Sequence, residues 1–257
     1  TAEQVGKTVQ LIDEGNTIPF IARYRKEVTG SLDDSVLRTL DEKLTALRNL
    51  AQRKQEVQDL IGAQGKLTEE VRAAIERAAT VTEVDDIYRP FRPKRKTRAS
   101  VARERGLEDL AILLFAQEKS YTPSIEEQAA RFVDPEREVP DVAAALQGAM
   151  DIVAEEVSDN ADYRRELRRL TFDAGSLTSK AAKEEDSVYA MYYDFSEPLR
   201  KLPGHRILAI HRGEKEEFLK VALTVPEDVV LGYLYNRVLS GNRSPAEPYV
   251  REAVTDA

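Results

Sequence analysis

Arg89, Arg92, Lys94, Arg95, Lys96, Arg98 and Arg103 lie in one short stretch, threaded between Tyr88, Pro90, Phe91 and Pro93. Planar guanidinium groups grip phosphate oxygens two at a time, and Tyr88 and Phe91 offer faces for base stacking, a combination that single-strand binders use. The prolines hold the stretch extended, so its cations cannot all pair at helical spacing. From Tyr88 to Arg105 six Arg and two Lys stand against one Glu, a local charge of +7 in a chain of net charge −8, which leaves −15 for the remainder. Such a strip suits sequence-nonspecific contacts to RNA or DNA phosphates. It equally suits bridging to the acidic helices around it, and composition alone does not choose between the two.

Other groupings point to less chemistry. In Phe20-Ile21-Ala22-Arg23-Tyr24-Arg25-Lys26-Glu27 three cations follow an apolar turn; ordinary burial places Phe20, Ile21 and Tyr24 in the core, with Arg23 snorkelling or paired. Adjacent residues on a helix diverge, so the pairs Asp33-Asp34 and Asp85-Asp86 and the run Glu184-Glu185-Asp186 read as helix-start or surface charge and not as metal clamps. His205 and His211 are the only imidazoles and have no zinc-ligand spacing around them, and phosphate-loop, dinucleotide and nucleophile-elbow motifs are missing. The 257 residues contain no Cys, which removes thiol catalysis and disulfides. The expectation is a protein that is not an enzyme and holds no cofactor or metal. No apolar run nears the roughly 20 residues that cross a bilayer, so no membrane partner is expected, and with no Cys the chain reads as cytoplasmic.

The elements that must position these groups are helices. Val5, Val9 and Ile12 recur at helical spacing before Gly15-Asn16, and Thr17 is placed to cap a short helix with Pro19 in its first turn. Asp33 to Ile61 reads as a long helix with an apolar stripe of Val36, Leu37, Leu40, Leu44, Leu47 and Leu50, continued by Val57, Leu60 and Ile61 and packed on other helices; its heptad fails at Lys54 and Gln58, too early for a coiled coil. Shorter helices are predicted over 68–79, 82–88, 97–104, 107–117 and 125–132, and a second long one from Pro140 to Gly175. The Arg164-Arg165 and Arg168-Arg169 run falls near the end of this last helix, where the dipole favours cations without any ligand. Phe218 to Val225 reads as a strand, Ile207 to Ile210 as a strand or a helical turn, and 229–239 as a helix. The fold class is therefore mainly α: a multi-helical array with two long helices and a small α/β element near the C-terminus.

Three ordered strings carry a family resemblance. The run from Gly15 to Leu32, the run from Asp86 to Ala99 followed by Ala102 to Leu107, and the run from Pro203 to Glu216 together resemble the hallmarks of the Tex family of bacterial transcription accessory proteins. Usual members have Ser where this chain has Gly204. The resemblance implies the N-terminal, mostly helical region of a longer protein, in keeping with a first residue that is not Met. Complete members continue into a resolvase-like α/β domain, helix-hairpin-helix elements and an OB-fold RNA-binding domain, and the family is similar to a eukaryotic elongation factor that also acts as a histone chaperone. It also implies a link to nucleic acid and transcription.

The resulting expectation has three regions: 1–120 with the basic strip, 121–202 built on the second long helix, and 203–257 as an α/β segment leading to a further domain. The function expected is a non-enzymatic helical scaffold whose strip contacts nucleic-acid phosphates. The alternative is a scaffold docking RNA polymerase or downstream domains of the same chain, with the strip paired internally.

Overall fold

Polar side chains cap most of the helices. The computed structural model describes residues 1–93, 96–183 and 185–257 and divides into two units, Thr1–Phe91 and Arg92–Ala257. In the first unit Thr1 opens α1 (Ala2–Asp13) with a reciprocal capping box to Gln4. Thr17 takes the cap position of α2 (Ile18–Tyr24), but its side chain makes no cap hydrogen bond. After α3 (Lys26–Thr29), Gly30 at φ +67° turns the chain, a left-handed conformation that glycine adopts without penalty. Asp33 Oδ1 accepts from Val36 N at 2.9 Å to start α4 (Asp34–Ala63). Thr68 and Thr80 cap α5 (Glu69–Arg77) and α6 (Val81–Tyr88), and a 3-10 turn over Arg89–Phe91 closes the unit.

The apolar residues of α4 do not form one packed stripe. Leu37 joins Leu11 and Ile21 in one core cluster, whereas Leu50, Val57 and Ile61 join Ile75, Val84 and Tyr88 in another. At about 100° per residue, Leu37 and Val57 lie about 160° apart around the helix, so the two clusters grip nearly opposite faces. Val36, Leu40, Leu44 and Leu47 fall between those faces and, with Val5 and Val9 of α1, line an open groove of about 440 Å³. The expectation that this stripe packs on other helices holds for Leu37, Leu50, Val57 and Ile61, while Val36, Leu47 and Leu60 are exposed.

The second unit contains α7 (Arg98–Glu104), α8 (Glu108–Ala116), α9 (Ile125–Ala129), α10 (Val142–Asp159), α11 (Ala161–Ala174), α12 (Gly204–Lys215), α13 (Glu227–Val238) and α14 (Glu247–Asp256). Its main core gathers Leu107, Leu110 and Leu114 of the α8 region, Ala149, Met150 and Val153 of α10, and Val250 and Val254 of α14. The single helix predicted from Pro140 to Gly175 is two. Asn160 leaves the helical conformation at ψ 116°, and its side-chain oxygen accepts from Asp162 N and Tyr163 N, each at 3.0 Å, so a short amide side chain ends α10 and caps α11.

A three-stranded antiparallel sheet in the order β2-β1-β3 is built from β1 (Ser176–Ala181), β2 (Asp194–Pro198) and β3 (Leu219–Thr224). Only β3 is anticipated by the sequence, and Ile207–Ile210 belongs to α12. Lys180 of β1 stands opposite Asp194 on one side and Lys220 on the other. One face of the sheet meets a small core of Tyr189, Tyr192, Ile210 and Leu219.

Helix α12 approaches that core through Gly213. A Cβ there would meet Leu219 Cδ1 at 2.7 Å and Tyr189 Cδ1 at 3.0 Å, and both neighbours are buried. Gly213→Ala, which would ordinarily favour a helix, is expected to destabilise this unit by about 1–3 kcal/mol through overpacking. Thermal unfolding followed by circular dichroism checks this, at about 2–4 °C of melting temperature per kcal/mol.

Candidate nucleic-acid interface

The chain divides after Phe91, inside the basic strip. Arg89 belongs to the first unit, half-buried in the turn that follows α6, and Arg92 is the exposed first residue of the second. Lys94 and Arg95 lie outside the described residues. The stacking platform expected of Tyr88 and Phe91 is not available as such. Tyr88 is buried in the second cluster of the first unit, with the Arg53 guanidinium 5.7 Å from its ring centre, and Phe91 is half-buried against the same cluster. The cause is helical spacing: Tyr88 follows Val84 by four residues and so shares its inward face.

In the second unit the cations meet carboxylates. Thr97 caps α7 by a capping box, its Oγ1 accepting from Ser100 N at 3.0 Å while Ser100 Oγ accepts from Thr97 N at 2.8 Å. The same hydroxyl donates to Glu155 Oε1 at 3.0 Å. From the other end of α7, Arg103 Nη1 donates to Glu155 Oε2 at 2.6 Å, with Glu156 and Glu108 at 3.4 and 3.7 Å from its remaining nitrogens. Glu155 is thus held by both ends of α7, and its side chain is only 14% exposed. Arg98 donates to Asp256 at the end of α14 and has Asp151 of α10 at 3.7 Å; the Asp256 hydrogen bond raises the affinity of Arg98 for its proton still further. Arg105 donates to Glu138 at 2.5 Å, and this bond, aided by the charges of Arg105 and then Lys96, holds the Glu138 carboxyl below its ordinary value. Lys96 is exposed.

The remaining candidates separate cleanly. Ile21 is fully buried, but Phe20 and Tyr24, predicted for the core, are 36% and 55% exposed. They sit four residues apart on the side of α2 away from Ile18, Ile21 and Ala22, which carry the packing. A short helix beside a narrow core can bury one face only, so the two rings are left out. Asp85 pairs with Arg53 at 2.6 Å, and Asp33 is a cap. His205 and His211 are exposed, with His211 Nδ1 3.6 Å from Glu214. Among the described residues no cluster of three or more His or acidic side chains could hold a metal ion, and no helix is long and apolar enough to cross a membrane. On α11, Arg165 pairs with Asp162, and Arg169 with Glu166 and Asp173.

A family model described as Tex central region-like matches residues 120–255, and one described as Tex-like protein N-terminal domain matches residues 1–62. The chain belongs to the Tex family. Protein tex of Bordetella pertussis is 44% identical over 89% of this chain and 29% of its own length. Transcriptional accessory protein Tex of Neisseria gonorrhoeae is 39% identical over 89% of this chain and 30% of its own length. S1 RNA-binding domain-containing protein 1 of Homo sapiens is 30% identical over 86% of this chain and 23% of its own length. The chain spans about a third or less of the length of these curated relatives.

In this Tex-family chain α7 is fastened to α10 at both ends through one carboxylate. Arg103→Ala removes the 2.6 Å ion pair to the mostly buried Glu155 and is expected to lower stability by about 2 kcal/mol in urea unfolding. Glu138 gives a pH signature. A depressed carboxyl adds stability above the ordinary carboxylate range and loses it as pH falls through the depressed value. Carbon-detected titration should therefore place Glu138 below 4.5, and Arg105→Gln should bring it back toward that value.

Proposed function

We propose that this chain is a non-enzymatic helical scaffold within a nucleic-acid-associated transcription accessory protein of the cytoplasm. The observation that carries the scaffold reading is the double fastening of Glu155 by Thr97 and Arg103, which turns the strip's C-terminal cations into braces between α7 and α10. The names of two relatives, a transcriptional accessory protein and an S1 RNA-binding domain-containing protein, support the link to transcription and to RNA. Within this reading the strip divides its labour. Arg103 and Arg105 hold the fold together, while exposed Lys96 and Arg98, with Arg89, Arg92, Lys94 and Arg95, supply nonspecific contacts to phosphates.

A second reading is favoured by a different surface. On and beside α12, Leu208 is 72% exposed, and Val188 and Met191 are more exposed still. Apolar side chains left in water in this number suit a protein contact, and RNA polymerase or downstream domains of the same protein are the proposed occupants.

Binding of the chain to single- and double-stranded oligonucleotides at two salt concentrations tests the first reading. Affinity should fall steeply with salt, and Lys96→Gln or Arg98→Gln should each lower the slope by about 0.7 on single strands with little change in melting temperature. No binding at low salt would sink the phosphate contact and leave the docking reading.

A further inference from the structure

We infer that the outward face of α2 is a stacking site for single-stranded nucleic acid, distinct from the basic strip and resting on the nucleic-acid association proposed above. Phe20 and Tyr24 have ring centres 5.3 Å apart at 47°. The Arg25 guanidinium lies 5.0 Å from the Phe20 ring centre and that of Arg23 lies 5.9 Å from Tyr24, so four planar groups form the row Arg25, Phe20, Tyr24, Arg23. Lys26 is exposed beside them.

Three features separate this row from ordinary surface. First, neither ring contributes to the core cluster beneath it, which Leu11, Ile21 and Leu37 fill with Ile12, Ile18, Ala22, Val28 and Leu32. Both rings keep apolar surface in water outside that cluster, Tyr24 more than Phe20. Second, among the described residues Arg23, Arg25 and Lys26 have no carboxylate partner, whereas the cations of α4, α7 and α11 described above are largely paired. In a chain of net charge −8, these three cations within four residues, beside two exposed rings, make a local positive patch. Third, the partner that uses both halves of the row is a strand with unstacked bases. Its bases present π faces to Phe20 and Tyr24, and its phosphates meet guanidinium groups already held in place by the rings. A duplex hides its base faces and leaves the rings unused. A purely apolar protein surface would strand the cations.

The row owes its shape to the local sequence. Pro19 fixes the first turn of α2, the i, i+4 spacing stacks Phe20 beneath Tyr24, and Arg25 leaves the helical conformation at φ −131°, ψ 27°, where α2 gives way to α3.

The chain has no Trp, so Tyr24→Trp installs one reporter in the row and keeps an aromatic face. In the full 257-residue chain, adding an oligouridine of about 20 nucleotides, long enough to cover such a site, should quench the fluorescence of the introduced indole. A duplex of equal length should quench it far less. Tyr24→Ala should weaken oligouridine binding about tenfold, and Arg25→Gln should lower the salt slope by about 0.7. Lys96→Gln with Arg98→Gln serves as the comparison. If that pair abolishes binding while the indole stays unquenched and Tyr24→Ala binds normally, the α2 site is wrong and the strip reading stands. If the unaltered chain binds no oligonucleotide at low salt, both readings fall. Equal quenching by duplex overturns the single-strand assignment. Should Tyr24→Ala fail to fold, the quenching in Tyr24→Trp decides alone.

Discussion

Nine of the eighteen residues of α10 are buried, and they point round most of its circumference, so the other helices of the second unit must find their places against it. A helix apolar on nearly every side cannot face water, and its neighbours are chosen accordingly. Helices α7, α8 and α14 supply small or aliphatic side chains to this surface, among them Ala99, Ala102, Leu110, Leu114, Ala253 and Val254. The polar edge of α10 is then used for fastening. Glu155 takes both ends of α7, and Asp151 meets Arg98. Arg103 is aimed at α10 because α7 is packed on it, while Arg98 lies between Asp151 of α10 and Asp256 of α14 and Arg105 reaches Glu138 ahead of α10.

Several helix starts are legible in the sequence: Asp33, Thr68 and Thr97 stand where the helices are expected to begin, and each caps through a local hydrogen bond. The long α4 was legible too, but its division between two cores was not, because a stripe read at spacings of three and four does not say on which side each neighbour will pack. Asn160 was passed over because an uncapped helix pattern ran through it, and only the completed turn shows its side chain claiming two backbone donors. Strands β1 and β2 carry almost no signal of their own. Ser-Leu-Thr-Ser-Lys-Ala becomes a strand because two partners satisfy its backbone, a fact that exists only once the chain has folded.

The candidate site was half legible. Charge counting found the strip, but could not tell a cation aimed at a ligand from one aimed at Glu155 or Glu138, since both look alike in composition. Nor could burial statistics foresee that Phe20 and Tyr24 would be left outside. They belong to a helix that reaches its core through Ile18, Ile21 and Ala22 on the opposite side. In both cases the sequence holds the chemistry and the packing decides its direction.

The small sheet has its own economy of charge. Strand β3 pairs with β1 alone among the described strands, so its outer backbone edge is open, and an open edge is a template on which another chain can add a strand. Lys220 stands on that edge although Lys180 is its direct neighbour across the ladder, an arrangement that works against pairing within the sheet. Asp194, on the far side of Lys180, offsets part of the repulsion. A second copy approaching β3 edge to edge would bring in a further lysine with no such counterweight. The local penalty inside the sheet is therefore also a guard against edge-to-edge pairing, built from a single side chain on one border of the sheet.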